Sequence, residues 1–251
     1  MVLTKRMLLL FVFCAGLVFA PQVQAGFQDV LNFEDNRFLP VDSLEFMHSY
    51  QFFSDTEPEK FERHEFTYQL TYAAVENFEM GATMPVVFFE NQQEEGFGDL
   101  SIFQRYKFLE QQGRMPELSA GLELIFPTGD KDLAPAGSNK LDARLYSSVS
   151  QEMALGWKWV AQLGYRFYGD KGVEDRLEYN LGLNYTWGSE MRAILEFNGL
   201  SGGVPDQDEY YISPGINVRL RQGLSAAFSI PMGLNSDAAS HKAQVQFRMD
   251  F

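Results

Sequence analysis

The sequence predicts an all-β fold, a transmembrane up-and-down antiparallel β-barrel of about twelve strands. Three observations carry this. The last segment alternates without a break, with Ala243, Val245, Phe247, Met249 and Phe251 interleaved by Lys242, Gln244, Gln246, Arg248 and Asp250. The same period-two pattern recurs nearly end to end, and the joints between its repeats are alternately short and long. Alternation puts every apolar side chain on one face of a strand, and about 9–11 tilted residues of this kind cross a bilayer.

Lys5 and Arg6 precede an apolar run from Met7 to Ala20, and Val23-Gln24-Ala25 has the look of a cleavage site before Gly26. That order predicts a secretory signal peptide over residues 1–25, too short for a membrane-spanning helix. The single cysteine, Cys14, lies inside it, so the mature chain is expected to hold no disulfide. Residues 26–43 precede the first strand and are either a plug in the lumen or a periplasmic tail. The barrel is expected over 44–251.

Its strands are expected near 44–54, 62–74, 78–89, 99–109, 117–127, 141–150, 157–168, 176–187, 191–198, 210–221, 224–233 and 242–251. The clearest apolar stripes are Phe66, Tyr68, Leu70 and Tyr72, then Leu118, Ala120, Leu122, Leu124 and Phe126. Two more follow in Trp157, Trp159, Ala161, Leu163, Tyr165 and Phe167, and in Leu177, Tyr179, Leu181, Leu183, Tyr185 and Trp187. The joints at 75–77, 188–190 and 222–223 are very short, and those near 110–116 and 151–156 are modest. The alternate joints at 90–98, 128–140, 199–209 and 234–241 are longer and richer in Gly, Pro and acids. Short periplasmic turns and longer outer loops alternate in this way, although the outer joints 55–61 and 169–175 are short. An even strand number leaves both termini in the periplasm.

Aromatics gather toward strand ends: Phe52 and Phe53, Phe88 and Phe89, Tyr106 and Phe108, Trp157 and Trp159, Phe167 and Tyr168, Tyr185 and Trp187. Rings with a polar edge settle at the lipid–water boundary, so these are expected to form girdles. Pro85, Pro127, Pro214 and Pro231 oppose a continuous ladder, because each lacks an N–H. They fit only at bulges near the outer rim.

The face opposite the apolar stripe carries Glu45, Glu65, Arg105, Lys107, Glu123, Asp142, Arg144, Lys158, Arg166, Glu178, Arg192, Glu196, Arg219, Arg221 and Arg248. Lipid would not tolerate these charges cheaply, so they are expected in the lumen. There they either fill and rigidify a narrow barrel or line a conduit and select what passes. Counting from the loops places Glu123 level with Arg144, and Arg166 near Glu178. Twelve strands fall between a filled eight-stranded barrel and an open porin, which predicts a narrow or plugged passage.

The formal charge is −14, and removal of Lys5 and Arg6 makes the mature chain more negative still. Such acidity excludes a nucleic-acid partner and suits lipopolysaccharide only where divalent cations bridge the two. Enzyme signals are thin. His48, His64 and His241 are the only histidines, no triad or metal-ligand spacing occurs, and Ser49 falls on the face opposite His48. Neither a catalytic residue, a metal nor another cofactor is expected. Asp130, Asp132, Asp206, Asp208 and Glu209 read as solvated outer-loop acids.

Two segments carry a family resemblance. Gly96-Phe97-Gly98-Asp99 leads into Leu100 to Phe108, and Phe126-Pro127-Thr128-Gly129-Asp130 leaves the next strand. These are similar to the Gly-x-Gly-Asp motif with its Lys-Tyr-x-Phe strand end, and to the Pro-Thr-Gly-Asp strand exit, of outer-membrane barrels named for meta-pathway phenol degradation. Arg105 stands where that family usually has Lys. The resemblance implies a barrel assisting uptake of aromatic or other hydrophobic compounds. The terminal Phe251 resembles the signal read by the barrel-assembly machinery. The expectation is an outer-membrane barrel that passes a small, hydrophobic or aromatic solute. The alternative is a non-conducting structural or partner-binding barrel.

Overall fold

The computed structural model describes residues 37–55, 61–89, 94–130, 140–170, 173–202, 208–236, 238–239 and 241–251. The proposed signal peptide and residues 26–36 lie outside them, as do Asp132 and Asp206. Among the described residues fourteen strands follow one another: β1 Leu44–Asp55, β2 Phe61–Val75, β3 Phe78–Phe89, β4 Glu94–Phe97, β5 Leu100–Leu109, β6 Glu117–Phe126 and β7 Asp142–Glu152. Then come β8 Trp157–Phe167, β9 Arg176–Trp187, β10 Met191–Gly202, β11 Glu209–Arg221, β12 Leu224–Ser229, β13 Met232–Gly233 and β14 His241–Asp250. β4 and β5 both pair with β3, and β12 and β13 both pair with β11, so each couple is one interrupted stave. Twelve antiparallel staves result. Pairing of β1 with β14 and of β10 with β11 closes them into a barrel.

The prolines account for the interruptions. Pro85 presents its carbonyl to the Gly98 N–H (2.9 Å) where β4 gives way to β5. Pro214 accepts from Ile230 N–H (3.1 Å), beside Pro231, where β12 gives way to β13. A residue that cannot donate is thus placed where the ladder already breaks. The joints expected at 90–98 and 199–209 are shorter than that: 94–97 are strand, and β10 runs to Gly202. The short turns use left-handed backbone at Asn77, Gly113, Gly188 and Gly223.

Burial is inverted relative to a water-soluble protein. Leu70, Ile102, Leu145, Leu163, Leu181 and Leu195 are exposed, whereas Ser49, Glu79, Asn184, Glu196, Asn217 and Asp250 are buried. An outer wall of this kind is stable only against acyl chains. The girdle needs correction at three positions. Phe53 and Phe89 are buried, and Tyr168 lies under the Arg166 guanidinium (4.7 Å), so all three turn inward. Neighbours along a strand point oppositely, so adjacent rings cannot both reach lipid. Tyr106 with Phe108 (5.0 Å), Trp157 with Tyr185 (4.9 Å) and Tyr165 with Phe167 (4.7 Å) do face outward in contact.

Glycines make room for rings on the inner wall. Gly81 lies opposite Phe103 and Gly121 opposite Tyr146. A Cβ on Gly81 would lie 2.3 Å from the Leu70 carbonyl oxygen and 2.4 Å from Phe103 Cζ. Gly81→Ala is therefore expected to destabilise the barrel by about 1–3 kcal/mol through overpacking. A lower urea midpoint for refolding into lipid vesicles would show it, and an unchanged midpoint would refute it.

Candidate functional site

Inward-facing charges collect in two tiers. The lower tier lies at the end with the short turns and both strand termini, the end expected to face the periplasm. Here Glu79 of β3 is fully buried and accepts from Arg105 Nε of β5 and from the Leu39 backbone N–H. Arg37 pairs with Glu45 of β1 and with Asp250 of β14, the latter at 3.0 Å. Arg248 reaches Glu45 at 3.3 Å. Arg105 Nη2 donates to the Arg37 carbonyl (2.8 Å), and the Phe38 ring lies under both Arg105 (4.7 Å) and Lys107 (5.2 Å). Residues 37–39 thus turn into the barrel mouth and are bound there by four staves.

Between the tiers the lumen is filled. Val160, Asn184 and Asn217 are 0% exposed and Glu196 is 1% exposed, while Ile194 packs on Ala227. A ladder of neutral side chains crosses four adjoining staves at this level. Asn180 Nδ2 donates to Gln162 Oε1 (3.3 Å), Asn198 Nδ2 to Asn180 Oδ1 (3.2 Å), and Ser213 Oγ to Asn198 Oδ1 (3.1 Å).

Above the ladder, at the long-loop end, lies a cavity of about 460 Å³. Its charged lining is Glu65, Glu123, Arg144, Arg166, Arg176, Glu178 and Lys242, and its less polar wall is Ile125, Leu200, Tyr211 and Pro231. Register puts Arg144, Arg166 and Arg176 side by side across β7, β8 and β9. Like charges so placed repel, and carboxylates interleave with two of them. Arg144 pairs with Glu123 (3.3 Å) and Glu178 (2.7 Å), and Arg166 with Asp142 (2.8 Å).

The structure therefore joins Glu123 to Arg144, directly opposite in register, but not Arg166 to Glu178. Arg166 faces Arg176, and Glu178 faces Gly164. The absent side chain at Gly164 leaves space for Glu178 to cross to Arg144 instead. Lys158, Arg192 and Arg219 lie apart from both clusters, near the short-turn rim, while Lys107 adjoins the lower tier through Phe38. Lys107 meets Glu110 (3.3 Å) and Glu117 (3.7 Å), and Arg192 Nε donates to Thr186 Oγ1 (3.1 Å).

Five participants went unremarked as site residues in the sequence: Arg37, Glu79, Arg176, Lys242 and Asp250. Parity alone puts Glu79 on the inward face of β3. No pattern in the sequence indicates that Arg37 returns to the wall. Outside, His48 stacks on Tyr68 (4.8 Å), with Ser49 buried on the inner face. At the outer loops Asp208 accepts from the hydroxyls of Ser201 and Tyr210, which hold its carboxyl below the usual range. Tyr211 likewise donates to Glu209 (2.7 Å).

The profile of the family described as "Putative MetA-pathway of phenol degradation" matches residues 46–251. The chain belongs to that family. No curated protein matches it. Among solved structures it resembles an outer membrane channel from Pseudomonas putida at 14% identity and a TM-score of 0.69, covering 88% of this chain and 100% of the other. It also resembles the KdgM porin (11% identity, TM-score 0.55, 83% and 99% covered) and the NanC porin (10%, 0.55, 83% and 98%). The protein thus has the twelve-stave β-barrel fold of outer-membrane channels and porins.

Proposed function

We propose that this barrel passes a small solute across the outer membrane through its narrow lumen. The observation that carries the reading is the division of that lumen. An outer vestibule of about 460 Å³ opens above a filled level, and residues 37–39 lie against the wall at the periplasmic mouth. A vestibule of this size suits a small molecule. Its charge pairs are the selectivity elements, and residues 37–39 are the plug. No catalytic role is assigned to any residue. The closing strand, ending at Phe251, is the segment offered to the barrel-assembly machinery.

The filled level favours one competing reading, a non-conducting structural barrel. Planar-bilayer recording separates the two. The full mature chain is expected to conduct in small discrete steps. Arg144→Gln, which frees Glu123 and Glu178, is expected to shift the reversal potential in a salt gradient toward cation preference. Absence of current both with and without residues 26–39 would establish the structural reading.

A further inference from the structure

We propose that the outer vestibule is a binding site for a small organic anion, a carboxylate carried on an apolar or aromatic body, with Lys242 and Arg176 receiving the carboxylate. The proposal rests on the reading of the lumen as the solute's route and names the class of solute.

The charge pairing of the cavity leads to it. Every carboxylate of the lining already has a cation: Glu65 has Arg63 (3.2 Å), and Glu123 and Glu178 share Arg144. Arg166 has Asp142 (2.8 Å). Two cations remain. Among the described residues, the only acceptor of the Arg176 guanidinium is the Gly202 carbonyl, which takes Nε at 3.4 Å. Lys242 has no carboxylate within ion-pairing distance among them. Its ammonium instead lies 3.9 Å from the Tyr211 ring centroid and 4.7 Å from that of Phe53.

Aromatic faces hold an ammonium in place without supplying a counter-charge. The chain as a whole is strongly acidic, whereas this lining carries four cations and three carboxylates, so its positive excess is a local arrangement and not a reflection of composition. Arg176 also stands in register with Arg166. That contact is repulsive with the site empty and relieved by an anion. Ile125, Leu200, Tyr211 and Pro231 supply less polar surface for the rest of the molecule. A bare inorganic anion leaves that surface unused, and a neutral hydrocarbon leaves the cations unanswered.

Equilibrium titration of the detergent-solubilised full-length mature protein, followed by saturation-transfer NMR, tests this with four probes: benzoate, acetate, benzyl alcohol and benzylammonium. Benzoate is expected to bind at least about tenfold more tightly than each of the others. Lys242→Met and Arg176→Gln are each expected to weaken benzoate about tenfold, the loss of one charge-assisted contact. Lys242→Arg should largely preserve binding. Folding of each variant is checked by heat-dependent gel mobility, and Lys242→Arg serves as the folded comparison should the methionine variant fail it. Equal affinity for benzoate and benzyl alcohol would overturn the proposal, as would benzoate binding that a folded Lys242→Met or Arg176→Gln variant leaves unchanged. This readout is independent of conductance. A barrel that binds benzoate and carries no current removes the transport reading alone, and one that conducts without discriminating the probes removes only this inference.

Discussion

Deleting residues 26–39 from the mature chain is expected to raise single-channel conductance roughly twofold or more, because a constriction limits flow through a pore. The physical basis is local. Phe38 lies beneath Arg105 and Lys107, the Arg37 carbonyl accepts from Arg105, and the Leu39 N–H is held by Glu79. These contacts hold backbone and an aromatic ring against the wall of the periplasmic mouth, which narrows it. The cut ahead of Pro40 leaves the pairing of Asp42 and Ser43 with Ala73 intact, so β1 keeps its start. Arg37→Ala is the milder form. It removes the cation between Glu45 and Asp250 while Arg248 still reaches Glu45. Conductance should then rise less, with more frequent openings. Equal conductance for the full and shortened chains would show that the segment does not obstruct the route.

Glu79→Ala is expected to cost about 3–5 kcal/mol of stability, the range for breaking a buried ion pair by removing one partner. Glu79 is 0% exposed and Arg105 is 8% exposed. Its loss leaves a guanidinium enclosed beside Arg37 and Lys107, and the Leu39 N–H loses its acceptor. Glu79→Gln, which keeps an acceptor oxygen, should cost less. Replacing both partners, Glu79→Met with Arg105→Met, should recover much of the loss, because no charge is then stranded. Urea titration of refolding into lipid vesicles measures all three. Additive costs in the double variant would mean that the two side chains do not act as a pair.

How much of this was legible beforehand follows from what alternation records. Parity assigned faces, so Arg105, Glu123, Arg144, Glu178 and Arg248 were placed inward from the sequence, and the register of Glu123 with Arg144 followed from counting back from a loop. The same counting missed the partner of Arg166. A two-residue stagger gives it Arg176 as neighbour, and Gly164 decides where Glu178 reaches. Treating adjacent aromatics as one girdle ignored parity, and Phe53 therefore emerged inside, against Lys242.

The sequence by itself determined the strand number, the closed antiparallel order and the face that meets lipid, because each depends on a two-residue period repeated between turns. Only the tertiary structure decided which charges meet, where the lumen is filled, that residues 37–39 fold back onto the wall, and which cations are left over. Those outcomes depend on distances across a closed ring between staves far apart in the chain. A pattern read along one strand fixes direction inward or outward, and it carries no measure of height or of what stands opposite.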